Sequence, residues 1–223
     1  QTNPGGVVSL PTGKTPEHFI RWVTHLVENW DNIDVQAELN DWGLNTQIKP
    51  EMNSLHFVQI DEFYPIDPEQ ENSFHSYVKQ FYIAGFGMNP DKALLMNYKE
   101  MGFPPNETLE SIWPDGEVDL TLRYRAALTQ KEADQQQVLI RVDQWCQEYE
   151  QRIRDLGGIG FFLGGIGPDG HIAFNVRGSD HYSTTRLTAV NYETQAAAAG
   201  DLGGIEVSRK RLVITIGLGT ITY

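Results

Sequence analysis

Cysteine is almost absent from this chain: Cys146 is the only one in 223 residues. No internal disulfide can form, so the fold must rest on its own core, and the usage fits a reducing compartment. Positive charge is also scarce. There are 17 Lys and Arg against 30 Asp and Glu, a formal net charge of −13. That balance excludes a surface built for nucleic acid or for an anionic membrane. It leaves room for a small anion held by backbone amides and a few local cations. Apolar runs of about 18 residues or more are missing, so no membrane-spanning helix is expected. The 6 His are scattered, without an H-x-x-x-H or Cys/His cluster, so no metal site is expected.

What is present is concentrated in FFLGGIGPDGHIAFN, residues 161–175. It opens as a short apolar run bounded by glycines, the pattern of a strand buried on both faces. It then breaks into turn chemistry at Gly164, Gly165, Gly167, Pro168 and Gly170,. Asp169 and His171 sit inside that turn, with one residue between them. Open α/β sheets bind ligands beyond the carboxyl ends of their strands, which is where this pair falls.

Three readings compete for the turn. Gly165, Gly167 and Gly170 match G-x-G-x-x-G, a dinucleotide motif only when a helix opens within it. Pro168, Asn175 and Gly178 oppose a helix here, and no acid closes a following strand at the spacing ribose recognition needs. The glycines could instead be structural and His171 a satisfied core histidine. In the third reading His171 is a general acid/base with Asp169 orienting it and favouring its charged form.

The rest of the chain alternates strands with helices, which implies a mostly parallel sheet covered on both faces. Val7–Leu10 reads as a strand, Pro11–Lys14 as a turn, and Thr15–Pro16 as the N-cap and first position of a helix carrying Phe19, Ile20, Val23, Val27 and Trp30,. A strand, a glycine loop and a helix N-terminus together suit an anion. Residues 54–60 read as a second strand ending at Asp61 and Glu62, which by residue type alone are solvated loop acids. A short helix around Phe74–Phe81 follows. Residues 84–132 are poorly periodic and punctuated by Pro90, Pro104, Pro105, Pro114 and Gly116, which reads as an insertion or lid within a single domain spanning 1–223. Val138, Val142, Trp145, Tyr149 and Ile153 mark the clearest helix, stopped by Gly157. Residues 183–199 turn from polar to alanine-rich and read as partly helical. Arg211–Ile216 is a further buried strand. The opening QTNPGG has no apolar signal core and the chain closes on a strand-like run. Truncation at both ends, with a further domain beyond Tyr223, is the expectation.

Taken together, SLPTGKTP, QIDEFYPID, ENSFHSY, CQEYEQRIRDLGGIGFFLGGIGPDGHIAFN and STTRLT resemble the glucosamine-6-phosphate deaminase/isomerase family, in that family's order. The resemblance implies a doubly wound, three-layer α/β/α fold. It implies an amino-sugar phosphate as the small-molecule partner, no cofactor, a cytoplasmic location and a homo-oligomer. By the same resemblance Thr12, Gly13, Lys14 and Thr15 hold the substrate phosphate. Asp61 is the base that moves a proton between C2 and C1, and His171 opens the sugar ring with Asp169 as its partner. The chain departs from the pattern at Val176, where the family has Glu, and at Gly200, where ungapped alignment puts a phosphate-binding Arg. Arg177 and Arg186 are the candidate compensating cations. The lactonases of 6-phosphogluconate share a similar D-G-H turn. A phosphosugar lactone hydrolase and a sugar-phosphate-binding domain without activity are therefore the alternatives.

Overall fold

A computed structural model of the chain describes residues 3–200 and 202–223. Its centre is a four-stranded parallel sheet of β1 (Val7–Ser9), β2 (His56–Val58), β4 (Ala93–Leu94) and β5 (Phe161–Phe162), in the order β4-β2-β1-β5. Alternate strand residues face opposite sides, and two helical layers meet them. Val7 and Val58 join the largest buried cluster, which contains the inner face of α5 (Gln130–Asp155). Val8 and Phe57 belong with Ile20 of α1 (Glu17–Glu28) and Val78 of α3 (Phe74–Val78). The result is the expected α/β/α layering.

Three further strands form a separate antiparallel sheet, which strand–helix alternation did not suggest. β3 (Asp61–Tyr64), β7 (Leu212–Thr215) and β6 (Arg186–Thr188) lie in the order β3-β7-β6. Two residues, Gln59 and Ile60, carry the chain from the first sheet to the second. The Gln59 side chain is fully buried. It donates to the Asp61 carbonyl (2.8 Å) and accepts from the Met96 amide (2.9 Å). Tyr149 of α5 places its hydroxyl between the carbonyls of Gln59 and Leu94, at 2.9 and 2.8 Å. A buried amide and phenol satisfied this way fix the switch point, since leaving either unpaired costs about 1–3 kcal/mol.

Several local expectations change. α1 starts at Glu17 with Pro16 at its cap, so Thr15 does not cap it. Phe161 is 53% exposed because β5 is a sheet edge, not a strand buried on both faces. Residues 84–132 supply the edge strand β4 and put Met96, Met101, Ile112, Trp113 and Leu122 into the main core. Their irregularity reflects short helical turns such as α4 (Leu109–Ile112) packed by single anchors. The helix α5 ends as expected: the amide of Gly158 bonds the Ile153 carbonyl and that of Gly157 bonds Arg154, with both glycines at φ +87°,. The remaining helices are α2 (Ile33–Asp41), α6 (Tyr192–Ala198), α7 (Ile205–Ser208) and α8 (Leu218–Ile221). None of the described helices is long and apolar enough to cross a membrane.

Candidate active site

The carboxyl ends of β1, β2 and β5 open onto one crevice beside the second sheet. Each contributes a loop with different chemistry.

After β1 comes Pro11–Thr15. Its carbonyls are tied back by two tyrosines from the helical segment that follows Ser73: Tyr82 donates to Pro11 O (2.5 Å) and Tyr77 to Gly13 O (2.8 Å). Gly13 sits at φ +82°, a conformation that favours glycine. Among the described residues the amides of Thr12, Gly13, Lys14 and Thr15 have no hydrogen-bond partner. A loop with its carbonyls anchored and its amides free, leading into a helix N-terminus, is suited to an anion.

After β5 the chain turns tightly. The Gly167 amide bonds the His171 carbonyl (2.9 Å), and the Gly170 amide bonds the Gly167 carbonyl (2.9 Å) with Gly170 at φ +84°. No helix opens in the G-x-G-x-x-G pattern, which removes the dinucleotide reading. The imidazole lies directly over Gly167: a Cβ there would stand 2.0 Å from His171 Cε1. Phe174 stacks on the imidazole, with ring centroids 5.6 Å apart. Asp169 Oδ1 is 2.5 Å from His171 Nδ1, and its Oδ2 accepts from Asn191 Nδ2, also at 2.5 Å. Burial pushes the Asp169 carboxyl up, but the hydrogen bonds from Asn191 and His171 outweigh it and hold the group below its ordinary value,. An ionised Asp169 puts the ring hydrogen on Nδ1 and leaves the Nε2 lone pair for a ligand.

After β2 comes Asp61, the first residue of β3. It is 8% exposed and its neighbour Glu62 is 3% exposed, so the expectation of solvated loop acids is wrong for both. The cause is tertiary: β7, α3 and α5 close over a segment whose own composition is polar. Burial and the adjacent Glu62 charge push the Asp61 carboxyl up to about 8. Glu62 is pushed up to about 7 by burial, against hydrogen bonds from His75, Phe74, Ser73 and Phe63.

Asp61, His171, Thr12 and Thr15 line a single cavity of about 170 Å³, with Gly165, Gly167, Phe74 and Phe174 among its walls. Phe74 is shared with an adjoining cleft of about 610 Å³ that holds Gly13 and Lys14. Asp169 stands behind His171 and is not in the lining. A separate hollow of about 410 Å³ around Trp113 and Arg211 contains none of these residues.

The candidate cations are placed differently. Arg177 is exposed and lines neither cavity. Arg186 is paired in register with Thr215, which is also the partner of Asp61. It therefore stands two strands from Asp61 in the same row, about 10 Å at normal strand spacing. Its contacts are Ser179 Oγ (3.3 Å) and the Thr184 carbonyl (3.4 Å), and burial pushes its guanidinium down. Val176 and Gly200 lie outside both cavities.

Sequence reasoning missed Asn191 and Thr194. Asn191 caps α6 by accepting from the Thr194 amide (3.0 Å) while its Nδ2 holds Asp169, and Thr194 Oγ1 is 3.2 Å from His171 Nδ1. The readable signal was an N-cap asparagine ahead of the alanine-rich helix. Its second bond is set by the tertiary fold.

No family model matches the chain. A glucosamine-6-phosphate deaminase of Borreliella afzelii (strain PKo) is 42% identical over 215 residues, covering 96% of this chain and 59% of that protein. One of Borreliella burgdorferi (strain ZS7) is 45% identical with the same coverage. One of Caenorhabditis elegans is 46% identical over 76 residues, 34% of this chain and 28% of that protein. The chain thus spans 59% of the length of the longest-matched of these relatives. Among solved structures, a monomeric glucosamine-6-phosphate deaminase superposes with a TM-score of 0.64 at 23% identity, over 99% of this chain and 68% of that one. That likeness establishes the fold.

Proposed function

The chain is a homologue of the glucosamine-6-phosphate deaminases over 96% of its length, and from that premise we propose that it acts on an amino-sugar phosphate, releasing ammonia and a ketose phosphate. The observation that carries the proposal is the meeting of Asp61, His171, Thr12 and Thr15 on one cavity. The substrate phosphate rests on the free amides of residues 12–15, beside Lys14. The sugar reaches past Phe74 toward Asp61 and His171.

In this reading His171 Nε2 takes the proton of the C1 hydroxyl as the ring C–O bond breaks, and the proton is delivered to the ring oxygen. Asp169 and Asn191 keep the ring in the required tautomer. Asp61 then removes the C2 proton and returns it to C1. That leaves an imine at C2, which takes up water and loses ammonia. Atoms balance as amino-sugar phosphate plus water giving ketose phosphate plus ammonia. A base with high proton affinity suits a step in which one carboxyl must both take and return a proton. Val176 provides no acid where the family pattern has Glu. The Asp169–Asn191 pair is what orients His171 here. The same reading carries a cytoplasmic location and self-association, the latter checked by sedimentation.

The test is coupled measurement of ammonia and fructose 6-phosphate from glucosamine 6-phosphate, with the lactone of 6-phosphogluconate as the comparison substrate. Ammonia release supports the proposal. Lactone hydrolysis alone, or sugar-phosphate binding without turnover, overturns it.

A further inference from the structure

Glu62 has no part in the mechanism above, yet it is the most fully satisfied carboxylate in the site. Its Oε1 accepts from the amides of Phe63 and Phe74, both at 3.0 Å. Its Oε2 accepts from Ser73 Oγ (3.0 Å) and from the His75 amide (2.7 Å). Ser73 is the N-cap of α3, so Glu62 adds a second, charged cap to that helix N-terminus. Three of these donors are backbone amides, which cannot turn away and favour the charged form. Ser73 Oγ can turn its hydrogen to the Pro68 carbonyl, 3.2 Å away, so protonation of Glu62 costs chiefly the charge-assisted strength of the three amide bonds.

Asp61, the residue before it, is differently placed. No hydrogen bond to its carboxylate oxygens is present among the described residues, and its carboxyl faces the cavity. The groups around the two acids are few. From the strand itself there are only Asp61 and Glu62. From β7, Thr215 and Ile214 stand opposite, and neither is ionisable. From α5 there is the Tyr149 phenol, pushed up by burial. From α3 there is the His75 imidazole, pushed down by burial, with Lys79, Glu69 and Lys99 around it. Across the cavity stands His171. Among the described residues no lysine or arginine pairs with either acid. Two adjacent buried carboxyls without a cation cannot both ionise cheaply, so one negative charge is shared between unequal sites.

We propose that Glu62 is the positioning residue of this site: its four donors make it the acid of the pair that ionises first, and its charge makes Asp61 the group that takes up and holds the travelling proton. Its grip on the start of α3 also sets Phe74, the residue common to the sugar cavity and the phosphate cleft. The role given to Asp61 rests on the deaminase reading; the division of charge between the two acids does not.

The experiment is carbon-13 carboxyl NMR titration of the protein without substrate, with Asp61→Asn assigning the two signals. Glu62 should ionise at lower pH than Asp61; the reverse order overturns the proposal. In Glu62→Gln the Asp61 midpoint should fall by about one pH unit or more, and the acid limb of kcat/KM should move down with it. A loss of activity with an unmoved midpoint and limb means that Glu62 is only structural, and overturns the proposal. Should Glu62→Gln fail to fold, Ser73→Ala removes one donor and keeps the backbone three. The Glu62 midpoint should then rise, and an unchanged midpoint overturns the proposal. If the titrations behave as stated but no ammonia is released, the deaminase reading fails while the charge assignment stands.

Discussion

Two acidic partnerships flank the same cavity, and they are built by opposite means. Asp169 and His171 are separated by one residue and meet inside a single turn, where Gly167 makes room for the ring and Gly170 closes the backbone. Asp61 and Glu62 are adjacent, yet their character depends on β7, α3 and α5, drawn from across the chain. The first pair lowers the affinity of its acid for protons, and the second raises it. One carboxylate therefore stays ionised and orients a neighbour, while the other is able to carry a proton. An acid/base site needs both, and the difference lies in donors against burial rather than in residue type.

The largest test of that contrast is Asp61→Asn. Asparagine keeps the shape and cannot accept the proton, so turnover should fall by roughly 10²–10⁴-fold with sugar-phosphate binding retained. Steady-state assay alongside calorimetric titration separates the two. An unchanged rate would take the proton-carrying role away from Asp61 and leave the comparison without its second term. In the wild-type protein, kcat/KM should drop as pH falls below about 8, since the base must be ionised to begin.

Asp169→Asn probes the other partnership with a smaller effect. Losing a charge-assisted hydrogen bond of about 1.5–3 kcal/mol to the ring should slow turnover by roughly 10- to 100-fold. Gly167→Ala reaches the same ring from below. With a Cβ 2.0 Å from His171 Cε1, the imidazole must leave its stack on Phe174. The kcat should drop without a comparable rise in KM, and a crystal structure of the variant should show the ring displaced. A normally placed ring would mean that the turn is looser than the Gly167–His171 contact implies.

The two partnerships also differ in what the sequence discloses. Asp169 and His171 are legible because their geometry is local: turn glycines, a proline and two side chains within eight residues 164–171. The phosphate-type loop at Thr12–Thr15 is legible for the same reason, although its anchoring by Tyr77 and Tyr82 is not. Asp61 was identifiable only through resemblance, because residue type alone makes an acid pair look solvated. Its burial comes from Gln59 and Tyr149 fixing the passage between sheets, a contact spanning 90 positions. The antiparallel sheet was invisible for a related reason. β3, β6 and β7 are short, and their pairing is set by where the crossings end rather than by any hairpin signal. Asn191 shows the intermediate case, an N-cap readable from sequence with a second bond that only the fold supplies.

The contrast also reaches stability, and there the two acids pull in opposite directions. Asp169 has its proton affinity depressed in the folded state, so its contribution is present above its ordinary value and is lost as pH falls through the folded one. Asp61 is raised from 3.8 to about 8. Its unfolded form releases the proton near 3.8 while the folded form keeps it, so its contribution is full at low pH. It declines as pH rises through that window and is gone above about 8. Glu62, raised to about 7, adds to the same slope. Chemical denaturation between pH 5 and 9 should therefore show wild-type stability falling with pH. Asp61→Asn should flatten that slope, because asparagine has no proton to lose, whereas Asp169→Asn should leave it unchanged, since the Asp169 contribution is already complete throughout this range. If Asp169→Asn flattened the curve instead, the burial and the donors would have been assigned to the wrong pair.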